Sequence, residues 1–116
     1  TKSIDIRDIY NLFVSNAFSP EFGGPGVRSF KPTGVGIETY QIYIYDTWGN
    51  LIWESNKLLK SEPAEGWDGN DMAGNSMPQD TYVWKISATF LNGRIWPGKY
   101  FSDGTVKRYG TVTLIR

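Results

Sequence analysis

The run "DTYVWKISATF" (residues 80–90) alternates without a break. Tyr82, Trp84, Ile86, Ala88 and Phe90 fall on one side, and Thr81, Val83, Lys85, Ser87 and Thr89 on the other. A period of two is the geometry of a β-strand, and one apolar face against one mostly polar face is a strand with a core on one side only. "TYQIYIYD" (39–46) repeats the pattern, with Tyr40, Ile42 and Ile44 set against Gln41, Tyr43 and Tyr45. "LIWES" (51–55) resumes strand character after "TWGN". Gly49-Asn50 can supply the positive φ angles of a tight hairpin. The opening of that hairpin carries Trp48 at its turn and Trp53 in its return strand.

Further strands follow from the same signals. Asn92-Gly93 is the strongest short hairpin signal in the chain, with "RIW" as its return. "GTVTLIR" (110–116) sets Val112 and Leu114 against Thr111, Thr113 and Ile115. Near the other end, Ile4 and Ile6 alternate with charge, and Leu12, Val14 and Asn16 alternate with Phe13, Ser15 and Ala17. Residues 19–36 read as a Gly/Pro-rich loop with one short strand at 28–31, residues 56–80 as a long connection, and residues 97–109 as a polar loop. No low-complexity segment, internal repeat or long helical period stands out. Six to eight strands at this spacing predict an all-β fold, an immunoglobulin-like β-sandwich of about seven antiparallel strands. At 116 residues the chain is expected to be one domain over 1–116, with 1–10 a linker or first strand. A chain of that size buries about two-thirds of its unfolded surface, enough for a core without staples.

The chemistry is narrow. There is no cysteine and no histidine, which removes disulfides, the usual nucleophilic triads and dyads, and zinc, haem and iron–sulfur sites built on those ligands. A carboxylate pair is the remaining enzymatic option. Nothing in the spacing of Glu62, Glu65, Asp68, Asp71 and Asp80 brings two together, so no catalytic residue is assigned and the chain is not expected to be an enzyme. "DGNDMAGN" (68–75) offers Asp68 and Asn70 to a calcium ion, but Met72 breaks the pattern and the closing acid is missing. An Asx-rich turn is the simpler reading, and no cofactor or metal site is assigned. Lys plus Arg and Asp plus Glu are both 12, so no net field draws the chain to nucleic acid or anionic lipid. From Arg94 onward, Arg94, Lys99, Lys107, Arg108 and Arg116 are opposed only by Asp103. No apolar run approaches membrane-spanning length, and direct membrane insertion is not expected. Thr1 opens no signal peptide, so a secretion signal is expected upstream or within the folded domain. The tryptophans at 48, 53, 67, 84 and 96 leave one alternative open, a carbohydrate-binding module whose flat aromatic platforms meet sugar faces.

Several motifs occur in order: "NAFSP" (16–20), "FKP" (30–32), "IYIYDTWGNLIWES" (42–55), "GWDGNDMAGNSMPQDTYVWKI" (66–86) and a closing "GTVTLIR". This ordered set resembles the gliding-motility-associated C-terminal domain, the type B sorting domain of the Bacteroidetes type IX secretion system, over about residues 11–116. The resemblance implies a C-terminal address label on a large exported protein, often an adhesin, carried across the outer membrane to the cell surface or medium. Its implied partners are the type IX translocon and an outer-membrane protein of the PorP/SprF type. Type A domains are cut off by a sortase-like protease; type B domains are not expected to be. The family's acidic loop after "NAF-S/T-P" is here "EFGGPGVRS" (21–29) with Glu21 its one acid, so a metal or polar-turn role is not carried over.

Within this reading Gly49, Asn50, Trp67, Asp68 and Gly69 are fold-motif residues. The candidates for partner recognition are Thr111, Val112, Thr113, Leu114, Ile115 and Arg116, with Trp48 as a second element. The closing strand reads as an edge offering backbone groups to a partner, as an ordinary sandwich strand buried on one face, or as both at once. The isolated domain is expected to be a monomer.

Overall fold

A computed structural model of the chain describes residues 10–21 and 28–116. The strand expected at Ile4–Ile6, and most of the Glu21–Ser29 loop, lie outside the described residues. The fold is all-β. In chain order the strands are β1 (Asn11–Phe13), β2 (Ala17–Phe18), β3 (Thr33–Val35), β4 (Ile37–Tyr45), β5 (Leu51–Ser55), β6 (Leu58–Leu59), β7 (Glu62–Pro63), β8 (Asp80–Phe90), β9 (Lys99–Tyr100), β10 (Val106–Lys107) and β11 (Tyr109–Leu114).

One five-stranded sheet, ordered β2-β11-β8-β4-β5, carries the fold, and β8 is its centre. Its register places Ile44, Ile42 and Tyr40 of β4 opposite Trp84, Ile86 and Ala88. On the other side Val112 and Gly110 of β11 face Tyr82 and Trp84. From Tyr82 to Phe90 the even-numbered residues of β8 are all buried, as the period-two pattern requires. Gly110 is small because the Trp84 indole crosses it: a Cβ there would lie 2.8 Å from Trp84 Cζ2. The opposite face is polar and half-exposed, held by cross-strand pairs such as Thr39 and Thr89, whose hydroxyls are 2.6 Å apart.

A second layer covers the apolar face with short pieces. These are the β1–β3 ladder, the β6–β7 ladder, and an isolated antiparallel bridge between Phe30 and Trp67. Leu12, Val14, Phe30 and Trp67 join the sheet residues in one buried cluster. Leu12, Val14 and Phe18 keep one parity along the N-terminal strand, yet the strand is divided between layers: β1 pairs with β3, and β2 pairs with β11.

The antiparallel expectation has one exception, since β2 runs parallel to β11. The closing strand is correspondingly not an edge at its far end, because Thr113 and Leu114 have β2 on one side and β8 on the other. The polar loop at 97–109 contains the β9–β10 ladder, and the "RIW" return reduces to a bridge between Thr89 and Ile95 before Pro97 ends it.

Four chain reversals share one geometry. At Asp46–Asn50, Asp71–Asn75, Phe90–Arg94 and Phe101–Thr105, the first N–H donates to the last carbonyl and the fourth N–H donates back to the first carbonyl. The fourth residue is glycine each time, with φ of 85°, 87°, 85° and 87° at Gly49, Gly74, Gly93 and Gly104. This is a three-residue hairpin loop with a left-handed bulge residue, a position that costs a residue bearing Cβ about 1–2 kcal/mol. Only Gly49 of the Gly49-Asn50 pair has a positive φ.

The β6–β7 turn breaks that rule, since Lys60 and Ser61 both adopt positive φ, 53° and 63°. Two such residues in a two-residue hairpin make the turn in which Asn-Gly is favoured. Replacing Lys60-Ser61 with Asn-Gly is expected to stabilise the domain by about 1 kcal/mol, since it relieves the left-handed strain. Urea unfolding midpoints of the two proteins check this.

Candidate functional site

The motif "GWDGN" is built around the Trp67 ring. Trp67 is completely buried, 5.2 Å from Phe18 and 4.9 Å from Tyr82 in an edge-on contact. Its backbone exchanges two hydrogen bonds with Phe30: Phe30 N–H donates to the Trp67 carbonyl at 2.8 Å, and Trp67 N–H to the Phe30 carbonyl at 2.9 Å. The indole Nε1–H donates to the carbonyl of Asn70 at 2.8 Å, so the ring's one polar atom is satisfied inside its own loop. Asp68 Oδ1 accepts from Asn70 N–H, and Gly69 holds φ of 90°.

Arg116 closes this loop against the end of β11. Its Nε donates to the Met77 carbonyl at 2.7 Å and its Nη2 to the Gly69 carbonyl at 3.1 Å. Nη1 meets Glu21 Oε1 at 3.2 Å, and the Arg116 backbone N–H donates to Gln79 Oε1. One guanidinium therefore joins three chain segments, using the fork of donors that lysine lacks. The residues quoted as separate motifs, "NAFSP", "GWDGN" and "TLIR", come together here.

The recognition candidates divide by parity. Val112 and Leu114 are completely buried, whereas Thr111, Thr113 and Ile115 are exposed on the outer face of the sheet. Trp48 lies at a hairpin tip with 87% of its surface exposed. The tip beneath it is stiff: Asp46 Oδ1 accepts from the N–H of Trp48 and of Asn50, both at 2.9 Å, and Asn50 Nδ2 donates to Asp46 Oδ2. The same clasp recurs at Asp71 and Asn75, so "DTWGN" and "DMAGN" are one local device used twice, a D-x-x-G-N repeat too short to register as a domain-scale repeat. The Asp71 carboxylate oxygens accept these bonds within an Asx turn. Among the described residues no three metal-type side chains converge.

Hydrogen bonding to the ionised form lowers the pKa of Asp46, chiefly through the Asn50 side chain, and of Asp71, chiefly through the Asn75 backbone N–H. Of the five tryptophans, Trp67, Trp84 and Trp96 are buried and Trp53 is half-buried. Trp48 alone presents most of its surface, so the rings form no extended exposed platform.

A groove of about 520 Å³ lies elsewhere, between residues 10–14 and residues 90–100. It leaves no mark in the sequence, because its two walls are far apart in the chain and neither carries a recognised motif.

The family model of the CHU_C type IX secretion signal domain matches residues 12–100. That span runs from within β1 through β9 and includes the Trp67 loop and both D-x-x-G-N tips. No curated protein matches the chain.

Two outcomes follow from the clasps. Arg116→Ala is expected to destabilise the domain by about 1–3 kcal/mol, from the loss of charged hydrogen bonds to two backbone carbonyls, with Arg116→Lys recovering only part; urea unfolding measures both. The Asp46 and Asp71 clasps are also pH-dependent. A depressed native pKa gives stability that is present above the unfolded value, about 3.9, and lost as pH falls through the lowered native one. Carboxylate NMR titrations are expected to place both midpoints below that of a free Asp, with the amides of Trp48, Asn50, Ala73 and Asn75 shifting in step.

Proposed function

This chain belongs to the CHU_C family of type IX secretion signal domains, and we propose that it labels a large surface adhesin of a gliding Bacteroidetes cell for export. The family is one of secretion signals and not of enzymes, and membership implies export of the protein that carries the domain and contact with the secretion machinery. The finer assignments are ours. The receiving partner is an outer-membrane protein of the PorP/SprF type, and the destination is the cell surface or the medium. The match over residues 12–100 carries this reading.

The residues we assign to recognition are the outward ones. Thr111, Thr113 and Ile115 present side chains from a strand whose inward partners, Val112 and Leu114, are anchored in the core. Trp48 offers a large apolar ring on a stiffened tip, an arrangement that favours binding because little conformational freedom remains to be lost. Arg116 contributes through the loop it closes.

The test is an export assay. The 116 residues are fused behind a signal peptide and a fluorescent reporter, in a host with and without a working type IX system. The expected result is surface or medium reporter only where the system is intact. Reporter retained in the periplasm of both strains, with the cognate outer-membrane protein co-expressed, would sink the proposal. In the competent host, Trp48→Ala is expected to lower export several-fold while leaving the thermal midpoint unchanged.

A further inference from the structure

Among the described residues, the groove between residues 10–14 and 90–100 has the form of an open strand position. Residues 11–14 all line one wall, and residues 94–100 all line the other. Successive side chains of an extended strand point to opposite faces, so the consecutive lining residues of β1 fit a strand that turns its backbone edge toward the groove. Among the described residues β1 has β3 as its one strand partner, and β9 has β10. Residues 95–96 in turn continue the main sheet, through the Thr89–Ile95 bridge and the Trp96 N–H bond to the Ala88 carbonyl. The slot opens where the N-terminal strand leaves the main sheet: β2 stays with β11, and β1 crosses to β3.

The walls carry a definite chemistry. Leu12, Val14 and Trp96 form the floor, while Phe13, Ile95 and Tyr100 stand 65%, 62% and 76% exposed around it. Arg94 and Lys99 line the slot, and among its described lining residues there is no acid. Lys99 is anchored through its Nζ–H donated to Asn16 Oδ1 and lies over the Phe101 ring.

We infer that this slot receives one extended segment of the type IX receiving protein, a strand in which apolar residues alternate with carboxylates. The segment adds to the β1 edge by main-chain hydrogen bonds, lies along residues 94–100, seats its apolar side chains on the floor and sets its acids against Arg94 and Lys99. Residues 11–14 span about 13 Å at 3.3 Å per residue, so about four residues of the partner are engaged. This inference rests on the sorting role proposed above and names the surface through which it acts.

The test uses the same reporter fusion in the export-competent host. The slot variants are the double substitution Ile95→Asp with Tyr100→Asp, and Arg94→Glu. Leu51→Asp and Leu59→Asp, on exposed apolar residues away from the slot, are the controls, and each domain is also purified for its thermal midpoint. The expected result is at least a ten-fold loss of surface reporter for the double variant and several-fold for Arg94→Glu, with unchanged midpoints and controls within two-fold of wild type. If the double variant does not fold, Arg94→Glu, on an exposed side chain, decides the matter alone. Slot variants exported at the wild-type level overturn the inference while the sorting role stands. A wild-type fusion that is not exported in the competent host removes the sorting role and the inference with it. A purified wild-type domain that sediments as a dimer, and as a monomer once Ile95 and Tyr100 are changed, assigns the slot to a second copy and overturns the inference.

Discussion

The fold depends on how Trp67 is held. Its ring fills the core between Phe18 and Tyr82, its backbone pairs reciprocally with Phe30, and its indole N–H closes the loop that follows. A connection of this length would ordinarily run over the surface, since buried backbone groups need partners. Here the partners are supplied by Phe30 and by Arg116, so two stretches remote in sequence form a second layer with little regular strand. Removing the ring would open the core, release the bridge and free the carbonyls that Arg116 binds. Losses of this kind are coupled and do not add simply.

The hairpin tips do a different job. Each of the four reversals uses a left-handed glycine with open space around it. Two of them add an Asp–Asn clasp that fixes the outer residues. Rigid tips suit a recognition module, because a partner then meets a preformed shape. The interior and the surface therefore divide the sequence motifs between them. Gly69, Trp67 and Arg116 hold the label together, and Trp48 is displayed on it.

What the sequence disclosed follows from the range of the forces involved. β8, β4, β5 and the buried parity of β11 were legible, because alternation is written in consecutive residues and a half-buried sheet enforces it. The Asp46–Asn50 tip was legible from its glycine. The two-residue pairings were not: β2 against β11, β6 against β7 and Phe30 against Trp67 are each decided by contacts distant in sequence. The turn at Lys60-Ser61 was hidden because those residues carry no signal for positive φ. The Trp67 ring lies wholly inside although it sits in a glycine-flanked loop, because its polar atom finds a carbonyl three residues on. The slot beside β1 lies between stretches remote in sequence, which no local pattern records.

Native-state hydrogen exchange tests the central claim, that the Trp67 loop and the main sheet form one cooperative unit. The amides of Phe30 and Trp67 should exchange with the same free energy as Ile86 in the middle of β8, within about 1 kcal/mol. If Phe30 and Trp67 exchange through a local opening orders of magnitude faster than Ile86, the loop is an appendage to the sheet, and the Trp67 ring is not what the fold depends on.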